Sequence, residues 1–336
     1  MSHNGDASQH TMTAEGQSPT LGDLAYTIIG DQYRHIVKRE QKVLADKNPE
    51  HLHQMRVSIR RLRTALHVFD TVVELPKAAS DKRLRNLART LGRLRDLDVQ
   101  IATLCQEYQP RLSQAEQALL NQGVTVLQKQ RRKAFAGTKD SLTRTAYHAL
   151  KTAYATWLDQ PTFKTTAQFP LLTALPDLLS PLLSKLLLHP VWLIAENDLS
   201  PDNSSILHDL RKLCKQVRYQ AEFFADFYGE AFQTWVNEIK ELQEQLGKVQ
   251  DGQVLLDLLT DELPQATAMP ELHATIYQER DVALHDWDTI RQRYLDPEFR
   301  HKLYQLLLAP KLAMNPPEEL LHTTDPEASL VGQAEG

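Results

Sequence analysis

Two stretches of this sequence place the same cationic residue types at the same spacing. In HQMRVSIRRLRTALHVFD (53–70) they are His53, Arg56, Arg60 and Arg63; in HDLRKLCKQVRYQAEFFA (208–225) they are His208, Arg211, Lys215 and Arg218. Arg61 and Lys212 flank these ladders, and Tyr219 is the aromatic beside the second. At about 100° per residue, the four members of the first ladder fall within an arc of about 80°. Met55, Ile59, Leu62, Leu66 and Phe69 fill the neighbouring arc, so the cations run beside a core-facing stripe. Arginine forks hold phosphate oxygens bidentately, and lysine acts as a compact point charge. One rung per helical turn, about 5.4 Å, suits a repeating anion better than one small ligand. A histidine at the head of each ladder can donate a ring N–H to that anion and gains charge near pH 6.5. A merely solvated face would interleave acids at i,i+4, yet residues 51–69 contain no Asp or Glu.

The ladders belong to a longer repeat. LGRLRDLDV (91–99) and LGKVQDGQV (246–254) align at an offset of 155, the offset that also aligns His53 with His208 and Phe69 with Phe224. Two motifs in one register make the chain two copies of a helical unit, expected to be related by a pseudo-twofold axis. Lys82, Arg85, Arg89 and Arg93 share a second basic face, with Leu84, Leu87, Leu91 and Leu94 roughly opposite. Asp96 falls on the basic side, where it can orient a guanidinium. The second-half counterpart is thinner: Lys240 and Lys248 keep charge, and Glu244 stands opposite Arg89 in the alignment.

Other chemistries lack their residues. His51 and His53 form an H-x-H, but no HExxH and no Cys/His spacing completes a metal site. No P-loop, nucleophile elbow or carboxylate cluster accompanies the histidines, so no enzyme activity and no cofactor are expected. Single-stranded nucleic-acid binding calls for exposed aromatics on which bases stack, and only Tyr219 lies near the stripes.

The elements that must carry the ladders read as helices at about 21–46, 50–73, 79–108, 112–136, 141–157, 176–195, 203–227, 230–260, 268–295 and 297–310. Pro49 suits a first turn, and Asn203-Ser204-Ser205 reads as a cap. The expected fold is all-α: residues 21–310 as one domain, halves at about 21–157 and 171–310, a disordered leader over 1–20 and a disordered acidic tail over 311–336. The Leu-rich stretch 171–195 is interrupted by Pro176, Asp177, Pro181, Lys185, His189 and Pro190. It offers no run of about 18 apolar residues, so a buried or interface helix is expected and no membrane partner.

Composition agrees. The 336 residues are 24% charged and 42% hydrophobic, with only 12 glycines, as helices with short connections require. A net charge of -5 speaks against a polyanion partner, but residues 51–100 hold 11 Lys/Arg against 5 Asp/Glu, and segregated charge governs such binding. Cys105 and Cys214 form no CxxC pair, and the polar N-terminus has no apolar stretch of a secretory signal, so a cytoplasmic location is expected.

At these residues the sequence resembles the conserved histidine α-helical domain, or CHAD, family. Its H-x-x-R-V-x-x-R-R-x-R signature is similar to His53–Arg63, its L-H-x-L-R-K-x-x-K-x-x-R-Y-x-x-E to Leu207–Glu222, and its L-G-x-x-R-D-x-D-V to Leu91–Val99. The resemblance covers about residues 21–310. It implies two four-helix bundles around a basic central groove or pore that binds inorganic polyphosphate, lined by the histidines and bases named above. Some members carry a triphosphate-processing CYTH domain, whose alternating acidic and basic strands are not read here. A binding module that addresses a protein to polyphosphate granules is therefore expected, with nucleic-acid binding or phosphohydrolysis as alternatives. Arg34, Lys38 and Arg95 align with His189, Leu193 and Gln250, so the second half is less basic. The polyanion is expected to sit asymmetrically, or the Leu-rich helix to serve a partner interface.

Overall fold

A computed structural model describes residues 19–199, 204–262 and 269–311, and among them every regular element is helical. The leader before residue 19, the tail beyond 311 and the expected cap Asn203 lie outside the described residues. The helices are α1 (Leu21–Ala45), α2 (Pro49–Val68), α3 (Asp81–Thr103), α4 (Gln114–Thr143), α5 (Thr145–Asp159), α6 (Leu171–Leu187), α7 (Ser204–Phe224), α8 (Glu230–Glu262), α9 (Pro270–Leu284), α10 (Trp287–Leu295) and α11 (Pro297–Leu308).

Local chemistry sets the starts of α1 and of α2, which carries the first ladder. Thr20 and Asp23 form a reciprocal capping box at α1. Asn48 accepts a hydrogen bond from the Glu50 N–H at 2.9 Å, and Pro49 occupies the first turn of α2, where no amide is needed. Asp46 ends α1 at φ 50°, and its carboxylate takes the Arg131 fork of α4 at 2.6 and 2.7 Å. Arg131 also holds Asp98 of α3 at 2.7 Å, so one guanidinium ties α1, α3 and α4 together.

The apolar stripes face inward as their spacing predicts. Met55, Ile59, Leu62 and Leu66 of α2 and Phe69 at its end are buried, as are Leu84, Leu87, Leu91 and Leu94 of α3. In one large core α1 to α3 pack in succession, α5 packs on α1, and α6 to α8 continue the packing, with α2 against α7 joining the halves. A second core crosses between the halves. There Leu104, Tyr108, Leu120 and Leu127 meet Leu255, Leu259, Leu272 and Ile276.

Several boundaries differ from the sequence reading; α4 runs on to Thr143 where an end near 136 is expected, and α5 begins at Thr145. Helix α6 begins at Leu171 instead of near 176, and keeps Pro176 and Pro181 inside it. Each proline removes a helical hydrogen bond, but Leu171, Leu175, Leu179, Leu183 and Leu186 bury one continuous face, which outweighs the loss. The helix ends at Leu187, before His189-Pro190, because the residue before proline disfavours helical backbone. Leu171–Leu193 is the described stretch long and apolar enough, at a mean hydropathy of 1.5, to pass for a membrane span. Its buried face is packed into the core here. The expected helix at 268–295 breaks between Leu284 and Trp287, which lets Trp287 turn inward and stack on Trp192 at 5.7 Å.

Candidate polyanion-binding site

Helices α2, α6 and α7 enclose a cleft of about 740 Å³. Arg60 and Arg63 come from α2, Lys185 from α6, and Lys212 and Lys215 from α7; Asp177 is the single acid in this lining. Thr64, His67, Gln216 and Gln220 add hydrogen-bonding groups. The cleft forms because the ladders lie beside the core stripes, so packing α2 on α7 brings both sets of cations to one seam. The Arg60 guanidinium lies 5.4 Å from the Tyr219 ring and that of Arg218 lies 4.8 Å from the same ring, so buried Tyr219 spaces two like charges.

Some of these bases are already engaged. Arg63 holds Asp81 at 2.7 Å and Lys212 holds Asp209 at 2.6 Å. Arg60, Lys185 and Lys215 form no ion pair among the described residues. Partial burial, then Arg211, Arg60 and Arg218, push the Lys215 ammonium down to about 8, with Asp251 opposing.

Beyond the cleft, the repeat yields two matched pairs. Arg56 meets Asp96 at 3.5 Å, and Arg211 meets Asp251 at 3.1 Å. Each arginine lies across the glycine of the Leu-Gly motif on the following helix. A Cβ at Gly92 would sit 2.5 Å from Arg56 Nη1, and one at Gly247 would sit 3.3 Å from Arg211 Nη2. Arg56 Nη1 and Arg211 Nε are buried without an acceptor, so each fork keeps one hydrogen-bond donor unused. Desolvation raises the Asp96 carboxyl, Arg56 opposes, and the Asp251 carboxylate raises it again, so the two acids sense one another across the halves.

The histidines head their ladders in a cationic setting. Partial burial and then Arg95, Arg56 and Arg60 hold His53 below the ordinary imidazole range, with Glu50 opposing. Partial burial and then Lys212, Arg211 and Lys215 do the same to His208, whose Nδ1 is buried without a partner. Both rings are therefore held toward the neutral form until an anion offsets these cations.

The structure does not gather every residue expected to bind. Arg61 points into an ion pair with Glu222 at 2.6 Å and lies 5.3 Å from the Phe223 ring, which makes it a strut between α2 and α7. Glu222 also holds Arg218, at 3.3 Å. Arg85 is tied to Asp81 at 2.8 Å. Arg89 and Arg93 on α3 and Lys248 on α8 are exposed and do not line the cleft. The acids absent from residues 51–69 are thus supplied by neighbouring helices, which sequence proximity does not reveal. Lys185, His67 and Arg95 were not among the expected site residues. His67 lies four residues after Arg63, so extending the ladder one turn finds it. Lys185 was hidden in a leucine-rich helix, and Arg95 falls off the basic face of α3.

No curated protein sequence matches the chain. The crystal structure of the CHAD domain from the plant Ricinus communis superposes with a TM-score of 0.60 at 25% identity, covering 88% of this chain and 93% of that one. PptA from Streptomyces chartreusis superposes with a TM-score of 0.58 at 20% identity, over 82% of this chain and 100% of its own, a likeness of fold. The CHAD domain profile matches residues 27–260, a span holding both ladders and both Arg–Asp pairs, and the chain therefore belongs to the CHAD domain family.

Proposed function

We propose that the chain is a non-catalytic binding module for inorganic polyphosphate, gripping it in the α2/α6/α7 cleft and along the two histidine-headed ladders. CHAD domains are reported in general to bind polyphosphate. The observation that carries the reading for this chain is the meeting of Arg60 and Lys215 in a cleft lined by five Lys/Arg and one acid. Holding such like charges together costs free energy that a polyanion removes. Against nucleic acid, Tyr219 is buried, with two guanidinium groups already within 5.4 Å of its ring, and offers no exposed face on which a base could stack. A cytoplasmic role addressing the protein to polyphosphate granules follows from this reading.

The test is competitive binding of long polyphosphate, RNA and heparin at matched charge over a series of salt concentrations. Polyphosphate should bind tightest, with a log–log salt slope reflecting several released counterions. A slope near zero, or equal affinity for all three, would sink the reading.

A further inference from the structure

Lys215 lines the cleft between Arg60 of α2 and Arg211 and Arg218 of its own helix, with Lys185 and Lys212 on the same walls. The acids it faces are Asp177 of α6, Asp251 of α8 and Asp96 of α3. Among the described residues it forms no ion pair, whereas Lys151 holds Glu40 at 2.8 Å and Lys212 holds Asp209 at 2.6 Å. Its amine opens to a cleft of about 740 Å³. A partly buried amine among guanidinium groups, pushed down to about 8, releases its proton readily, and a neutral lysine is a nucleophile. The cations that create that neutral amine also draw in an anionic electrophile whose leaving group is phosphate.

We propose that Lys215 is a modification site, an acyl-acceptor amine that the cleft presents to acyl phosphates. The Nζ lone pair attacks the acyl carbon, and the bond from that carbon to the phosphate oxygen breaks. Phosphate departs with the bonding electrons, and the proton lost from nitrogen goes to phosphate or solvent. The product is a neutral amide, so the cleft loses one cation. Resting on the polyphosphate reading, acylation then lowers affinity and turns the site down.

The test is acetyl phosphate on the full chain at pH 8, with the rate at each lysine followed by peptide mass spectrometry. Lys215 should acetylate at least about tenfold faster than exposed Lys240, since the cleft favours its neutral, nucleophilic amine and gathers the anionic reagent. A rate no greater than that of Lys240 overturns the proposal. In Arg60→Gln, where a neighbouring cation is gone, the rate at Lys215 should fall severalfold; an unchanged rate overturns the assignment of its reactivity to the cleft. Long polyphosphate should shield Lys215 from the reagent. Fast labelling without shielding would uphold the reactive lysine and count against the polyphosphate site. Slow labelling with intact polyphosphate binding would do the reverse.

Discussion

Phe69 packs edge-on against Phe224, ring centroids 6.3 Å apart and planes at 87°, and the two residues are separated by the repeat offset of 155. Equivalent positions of the two halves thus touch, and both rings are fully buried. This contact fixes the ends of α2 and α7 and, through them, the distance across the cleft. Phe69→Ala or Phe224→Ala should each cost about 3–5 kcal/mol. In a double-mutant cycle by chemical denaturation the pair should couple by about 0.5–1.5 kcal/mol. Strict additivity would mean that the rings do not support one another.

The Leu-Gly motif gives a sharper test, because its glycines make room for guanidinium groups. Gly92→Ala forces Arg56 to move, since the new Cβ would lie 2.5 Å from Nη1; Gly247→Ala asks far less, at 3.3 Å from Arg211 Nη2. The displaced atom is the tip of a flexible side chain, so folding should not suffer. A helix-interior alanine gains about 0.5–1 kcal/mol over glycine. Melting temperatures should stay level or rise in both variants. Polyphosphate affinity should fall roughly tenfold, about 1.4 kcal/mol, in Gly92→Ala and little in Gly247→Ala. Equal losses in both would show that the Arg56 position is not read by the ligand.

The histidines set a pH dependence whose sign follows from their surroundings. His53 and His208 sit below their ordinary value in the free protein, through burial and nearby cations. The unfolded chain therefore binds more protons just below about pH 6.5, and the free fold loses stability as pH falls through that region. A bound polyanion should raise both imidazoles, so binding takes up protons and affinity should grow from about pH 8 to 6. NMR titration of both rings with and without polyphosphate checks this. Ring pKa values that do not move on binding would assign both histidines to structural roles.

Much of this was legible in the chain because helical period is a local property. The core stripes of α2 and α3, Pro49 in the first turn of α2 and the 155-residue offset needed no tertiary information. What escaped was decided between helices. Arg61 looks like a rung until Glu222, 161 residues away, takes it. Arg63 looks free until Asp81 arrives from the next helix. Buried Glu116 gave no signal, yet its carboxylate caps α9 by accepting the Glu271 and Leu272 N–H groups at 2.8 and 3.0 Å. In the sequence Lys185 only interrupts a leucine-rich stretch, and the packing of α6 against α7 turns it to the cleft. Acids and bases distant in sequence can pair in many ways, and the fold alone selects which.

The two cations that meet across the seam should respond differently to pH. An arginine side chain is not deprotonated in proteins. Lys215, pushed to about 8, is largely charged at pH 7 and largely neutral at pH 9 in the free protein. At pH 7, Arg60→Gln and Lys215→Gln should each weaken polyphosphate binding by about 1.5–3 kcal/mol, or roughly ten- to hundredfold. Arg60 should carry the larger share, since it stands in the half with Arg56, Arg89, Arg93 and Arg95. At pH 9 the wild type must take up a proton at Lys215 to make that contact, which costs about 1.4 kcal/mol per pH unit above the free value. The loss caused by Lys215→Gln should therefore shrink nearly tenfold between pH 7 and 9, while the loss caused by Arg60→Gln holds constant. Both variants relieve repulsion in the free cleft, so their melting temperatures should equal or exceed that of the wild type. If the two losses followed the same pH profile, Lys215 would not be the depressed amine of this cleft. If stability fell while affinity held, these bases would be pairing with acids in the fold, and the polyanion reading of the ladders would have to be given up.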